Sequence, residues 1–189
     1  MKRILAALAA AALCSGIAAA QQGAMAGPPP PPEKGSVSSL ISEATTQYEQ
    51  IKKIITASAE KMPAENFSFK PTPEVRSYAE LFTHVAQAQM GICGGIGGTA
   101  RGRMEPVSAS SKDDVIAALK RSFDVCDSAN ATVTEANAME VSGQGFLRGS
   151  KLGLIYKNIA HDNEMYGTMV AYMRLKGIVP PSTAMRGRM

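Results

Sequence analysis

Tryptophan is absent from this 189-residue chain, aromatic residues make up only 5%, and histidine occurs twice, as His84 and His161. The scarcity of aromatics argues against a pleated sheet, which favours aromatic and β-branched side chains. A core of Ala, Leu, Ile and Met points to helices instead. No basic patch with interleaved aromatics occurs, so nucleic acid is not an expected partner. No strand precedes the glycines of "GICGGIGGTARGRMEP", and no Gly-Lys-Ser/Thr follows them. That excludes a phosphate-binding loop and leaves the run as an expected flexible loop. Cysteine is also scarce. Of Cys14, Cys93 and Cys126, neither of the last two has a histidine near it in sequence, which weighs against a catalytic thiol.

The first twenty residues stand apart. A basic start (Lys2, Arg3), a short apolar run and small residues at Ala18, Ala19 and Ala20 describe a secretory signal peptide over 1–20, cleaved after Ala20. The apolar run is short for a membrane span. Leu13 is too bulky for the small residue that lipoprotein processing at Cys14 would need. Removing Lys2 and Arg3 leaves 18 basic residues against 16 acidic ones, a nearly balanced charge. The mature chain is expected to be exported, periplasmic or secreted, without stable membrane insertion. In an oxidising compartment Cys93 and Cys126 can form one disulfide, the alternative being two buried thiols.

Residues 21–35 hold five consecutive prolines, which prefer an extended polyproline conformation, and read as a linker. From Val37 to Lys61, apolar residues recur at three- and four-residue steps, and Pro63 ends the run. Ser77 and Glu80 form a capping-box pattern opening a second helix, with Leu81, His84, Val85, Ala88 and Ile92 on one face. Ser110 or Ser111 caps a third helix, with Asp113 and Asp114 near its positive end. A fourth runs over about 150–176, ended by Gly177 and Pro180-Pro181. Long connections after the first and third helices predict an all-α four-helix bundle over 36–183, followed by a flexible tail at 184–189.

Each histidine falls on an inward face. In the fourth helix His161, Met165 and Met169 lie at four-residue steps. Two such histidines suit either satisfied core residues or a metal held between helices, where neutral imidazole is a common ligand. If both face the same interior, their rings should lie close enough to share an ion or a water.

The segments "FSFKPTPEVRSYAELFTHVAQAQ" and "HDNEMYGTMVAYMRLKGIVPPST" resemble the secreted branch of the DinB/YfiT-like family, which is similar to mycothiol-dependent maleylpyruvate isomerases and bacillithiol transferases. The resemblance runs over nearly all of 36–183. It implies a four-helix bundle with a metal held by three histidines, one on the second helix and two as His-x-x-x-His on the fourth. Here these positions are His84, His161 and Met165, so the third ligand is replaced by a soft, weak thioether.

Three outcomes follow. Met165 fills space and no metal is held; Glu164, one residue earlier, completes a two-His, one-carboxylate site; or Met165, with Met169 behind it, favours Cu(I). In the family frame Asp162 and Asn163 face a neighbouring helix or solvent rather than the ion. Tyr166 either hydrogen-bonds within the bundle or simply packs with its hydroxyl satisfied. The resemblance thus implies an exported DinB-like domain with a degenerate metal site, binding Zn or Ni weakly or not at all, and a ligand- or partner-binding role. The alternative is a divalent-metal-dependent hydrolase or thiol-dependent transferase. The expected partner is an unidentified small molecule, and a homodimer is compatible with the sequence.

Overall fold

The computed structural model of the protein describes residues 35–98 and 111–186. The signal peptide at 1–20, nearly all of the proline-rich linker, the latter part of the glycine-rich loop and the last three residues of the tail lie outside the described residues.

Four long helices carry the core: α1 (Val37–Lys61), α2 (Tyr78–Ile96), α3 (Lys112–Asn130) and α4 (Lys151–Leu175). Each begins at a serine whose hydroxyl accepts a backbone N–H of the first turn: Ser36, Ser77, Ser111 and Ser150. Such a cap typically contributes about 1 kcal/mol. At Ser77 the box is complete, because the Glu80 carboxylate also accepts the Ser77 N–H at 2.6 Å. The other end of α1 is closed by the Lys112 ammonium, which donates to the carbonyls of Glu60 and Met62. That contact ties the end of α1 to the start of α3.

Helices α1 and α2 each pack against both α3 and α4, which encloses a single core. Its centre holds Tyr48, Ile51, Ile55, Phe82, Leu119, Met169 and Met173, all almost wholly buried. The few aromatics are concentrated where the α1–α2 connection meets the bundle. Tyr78 packs edge-on against Phe82 at 5.1 Å and against Phe67 at 5.7 Å. Such pairs add to simple burial. The connection is further pinned by backbone bonds from Tyr78 to Phe69 and from Ala79 to Phe67. The Tyr172 hydroxyl of α4 donates to the Arg76 carbonyl at 2.7 Å.

Several details depart from the sequence expectations. Helix α2 does not decay at Gly91 but continues to Ile96. The α3–α4 connection contains a short antiparallel pair, β1 (Val141–Ser142) and β2 (Gly149–Ser150), which lies against α2. The helical glycines explain the approach. A Cβ on Gly95 would meet the Gly143 Cα at 3.3 Å, and one on Gly91 would meet Leu147 Cδ1 at 3.2 Å. Gly91 and Gly95 share one face of α2, and the Ser142 hydroxyl donates to the Gly95 carbonyl. The glycines thus provide a bed for the hairpin. Finally, the expected tail is helical as far as described: α5 (Pro181–Arg186) is tied to α4 by Tyr166, whose hydroxyl donates to Ser182 Oγ at 2.7 Å and accepts the Ser182 N–H. No described helix is long and apolar enough to cross a membrane.

Candidate functional site

Helix α2 carries His84 and α4 carries His161, and the packing of these helices brings the two rings together. Their Nε2 atoms lie 3.3 Å apart, with ring centroids at 5.1 Å. His84 also lines an open groove of about 350 Å³ walled by the 70–76 segment and the first turns of α2, including Lys70, Glu74, Arg76, Thr83 and Gln87. Burial, the nearby Arg76 and His161 hold the His84 imidazole below its usual range, with the Glu164 carboxylate opposing them.

Beneath the pair lies a residue whose burial the sequence reading missed. Asp162 is fully buried. Its Oδ2 accepts from Gln89 Nε2 at 2.8 Å and from Asn158 Nδ2 at 3.2 Å. Gln89 is oriented in turn by the Ser122 hydroxyl, which donates to its Oε1 at 2.6 Å. A polar layer therefore crosses from α3 through α2 to α4. The other oxygen, Oδ1, faces His161 Nδ1 at 3.5 Å. Both atoms are buried and, among the described residues, neither has a hydrogen-bond partner in the usual range. Burial pushes the Asp162 carboxyl above the ordinary carboxylate range, while His161, Gln89 and Asn158 oppose the shift. In sequence the layer was hidden because Gln89, Ser122 and Asn158 are ordinary polar residues inside helical patterns. The only available signal was that all three fall on inward faces.

The remaining candidates divide. Met165 is buried within the core. Glu164 is exposed, its charge is felt at His84, and among the described residues no group of three His, Cys, Asp or Glu that could hold an ion includes it. Asn163 is exposed and donates to the Ile159 carbonyl. Cys93 and Cys126 are joined by a disulfide that links α2 to α3, with Cα atoms 5.0 Å apart.

These residues can be tested against the three-histidine metal centre. Zn–N bonds of about 2.0–2.1 Å at a tetrahedral angle separate two nitrogens by roughly 3.3–3.4 Å. The His84–His161 distance matches one edge of that tetrahedron. The rest of the set does not follow. Among the described residues no three His, Cys, Asp or Glu side chains gather to hold an ion. The third position offers a thioether, a poor ligand for zinc or nickel. The donor set does not fit a closed divalent-metal centre.

The model of the DinB superfamily matches residues 47–169. The chain belongs to the DinB superfamily. The matched region runs from mid-α1 to Met169 and contains both histidines and the whole polar layer beneath them. The fold is similar to a DinB-like protein from Bacillus cereus (TM-score 0.60, 16% identity, covering 77% of this chain and 96% of that one). It is equally similar to a DinB-like protein from Bacillus subtilis (TM-score 0.60, 17% identity, 71% and 92%). At these identities the likeness concerns the fold. No curated protein matches the chain.

Proposed function

We propose that this DinB-like protein is an exported binding protein. Its groove beside His84 takes a small polar molecule, and the family's metal site has become degenerate at Met165. The observation that carries this reading is the union of an intact histidine pair, 3.3 Å apart, with a buried methionine where the third ligand is expected. The groove suits a ligand bearing charged or hydrogen-bonding groups, because both signs of charge line it: Lys70 and Arg76 against Glu74 and Glu80. Export is supported by the leader-like first twenty residues and by the Cys93–Cys126 bond, which persists in an oxidising compartment.

The test is a screen of small polar fragments followed on the histidine ring signals. Binders are expected to shift His84 and to lose affinity in Arg76→Ala. Fragments that bind elsewhere, or none that perturbs His84, would remove the groove from the account. Tight zinc binding by the wild-type chain would favour instead the divalent-metal-dependent hydrolase or thiol-dependent transferase.

A further inference from the structure

The polar layer under the histidines has a direction. An ionised Asp162 carboxylate only accepts, so the Gln89 amide turns its NH₂ toward it and its Oε1 toward the Ser122 hydroxyl, which also reaches the Leu119 carbonyl at 2.8 Å. Asn158 also presents its NH₂ to the same carboxylate oxygen. Asp162 Oδ2 is thus held by two donors. Oδ1 remains for His161, whose Nδ1 faces it at 3.5 Å with no other partner for either atom among the described residues. An ionised carboxylate oxygen accepts only. At a pH where Asp162 is ionised, the pairing is therefore complementary only if His161 carries its proton on Nδ1.

We propose that Asp162 is a positioning residue that fixes the tautomer of His161 and, through it, the hydrogen-bonding character of His84 in the groove. With Nδ1 protonated, neutral His161 has its lone pair on Nε2, 3.3 Å from His84 Nε2. Two bare nitrogens cannot share that contact, so His84 donates from Nε2. The other nitrogen of His84, Nδ1, is then an acceptor on a residue that lines the groove. A proton-ordered chain runs from the buried carboxylate to the groove wall, as in the carboxylate–histidine pairs that set ring orientation at other sites. The ligand class this selects, a molecule that places a hydroxyl, amine or other donor against His84, rests on the groove reading above. The order of the chain does not.

A structural carboxylate that merely satisfies Gln89 and Asn158 would leave His161 free to take the Nε2–H form, which neutral imidazole prefers in water. The alternatives are distinguished by long-range ¹H–¹⁵N spectra of the two rings in ligand-free protein, above the imidazole titration range. The expected result is His161 protonated on Nδ1 and His84 on Nε2. His161 protonated on Nε2 would overturn the proposal. In Asp162→Asn the amide should turn its oxygen to Gln89 and Asn158 and its NH₂ to His161, so both tautomers should invert. Unchanged tautomers in that variant would also overturn it. Should Asp162→Asn not fold, His84→Ala serves. His161 should stay protonated on Nδ1 there, because Asp162 sets it, and a change to Nε2 would assign the control to His84 instead. Because no ligand is present, failure here leaves the groove reading standing, and failure of the fragment screen leaves the tautomers unaffected.

Discussion

Gln89 of α2 donates from Nε2 to Oδ2 of Asp162 on α4 at 2.8 Å, and both side chains are fully buried. The bond joins two helices directly beneath the histidine pair. Removing one partner leaves a buried polar group unpaired, which typically costs about 1–3 kcal/mol and more when the group is charged. Gln89→Ala is therefore expected to destabilise the fold by about 2 kcal/mol or more. Urea denaturation measures this. A midpoint equal to that of the wild type would mean that the layer contributes nothing to stability.

The Cys93–Cys126 bond closes a separation of 33 residues between α2 and α3. The chain-entropy model gives a loop of that size about 4 kcal/mol. Replacing both cysteines by serine should lower stability by roughly 2–4 kcal/mol. Titration of the denatured, unreduced chain from residue 21 onward should find no reactive thiol. Two thiols per chain would contradict the bond.

Glu80 supplies an acid-sensitive contact. Its carboxylate accepts the Ser77 N–H and lies 3.2 Å from the Lys70 ammonium. The Ser77 bond, first, and Lys70 hold its pKa below the usual carboxylate value. For a depressed carboxylate the stabilisation is complete above the unfolded-state pKa and is lost as the pH falls through the folded value. Because Glu80 is partly exposed, solvent weakens the charge pairing, and the cap bond is the larger contribution. Glu80→Gln should cost about 0.5–1 kcal/mol at neutral pH. Denaturation at an acid pH below the carboxylate range should show the two proteins converging. A difference that is the same at both pH values would remove the ionised carboxylate from the explanation.

Gly143 adopts φ of 74°, and a Cβ there would sit 2.3 Å from the Leu147 carbonyl oxygen. Both features exclude an L side chain without rearrangement of the turn. Gly143→Ala should destabilise by about 1–3 kcal/mol and loosen the hairpin from α2. Amide hydrogen exchange around Ser142 and Gly95 is the measurement. Unaltered protection would show that the hairpin does not depend on this turn.

The bundle was legible in the sequence because its helices carry strong apolar periodicity and explicit caps. The Ser77–Glu80 box, for example, begins α2 where the pattern places it. The glycine-rich end of α2 was not legible. Low helix propensity at Gly91, Gly94 and Gly95 suggests a loop, but the hairpin packed on that face outweighs it, and a long-range contact leaves no local trace. The short helix after Pro180 was hidden for a related reason, since its tie is the Tyr166–Ser182 pair across sixteen residues. At the site, the inward faces of α2 and α4 foretold that His84 and His161 would be neighbours. Asp162 was missed as a buried residue because it follows His161 directly, so helical spacing turns it toward a neighbouring helix. Only the tertiary partners Gln89 and Ser122 reveal that this face is closed by hydrogen bonds.

The central claim, that the HDNEM segment is a metal site short of one ligand, is tested most directly by Zn²⁺ calorimetry of the wild-type and Met165→His proteins in a non-chelating buffer. A histidine at 165 would project one turn beyond His161 from the same face and complete a three-nitrogen set with one position open. The account predicts weak or undetectable binding by the wild type and tight, one-to-one binding by Met165→His, lost again when His84 is replaced by alanine. Equal and tight binding by both proteins would contradict it.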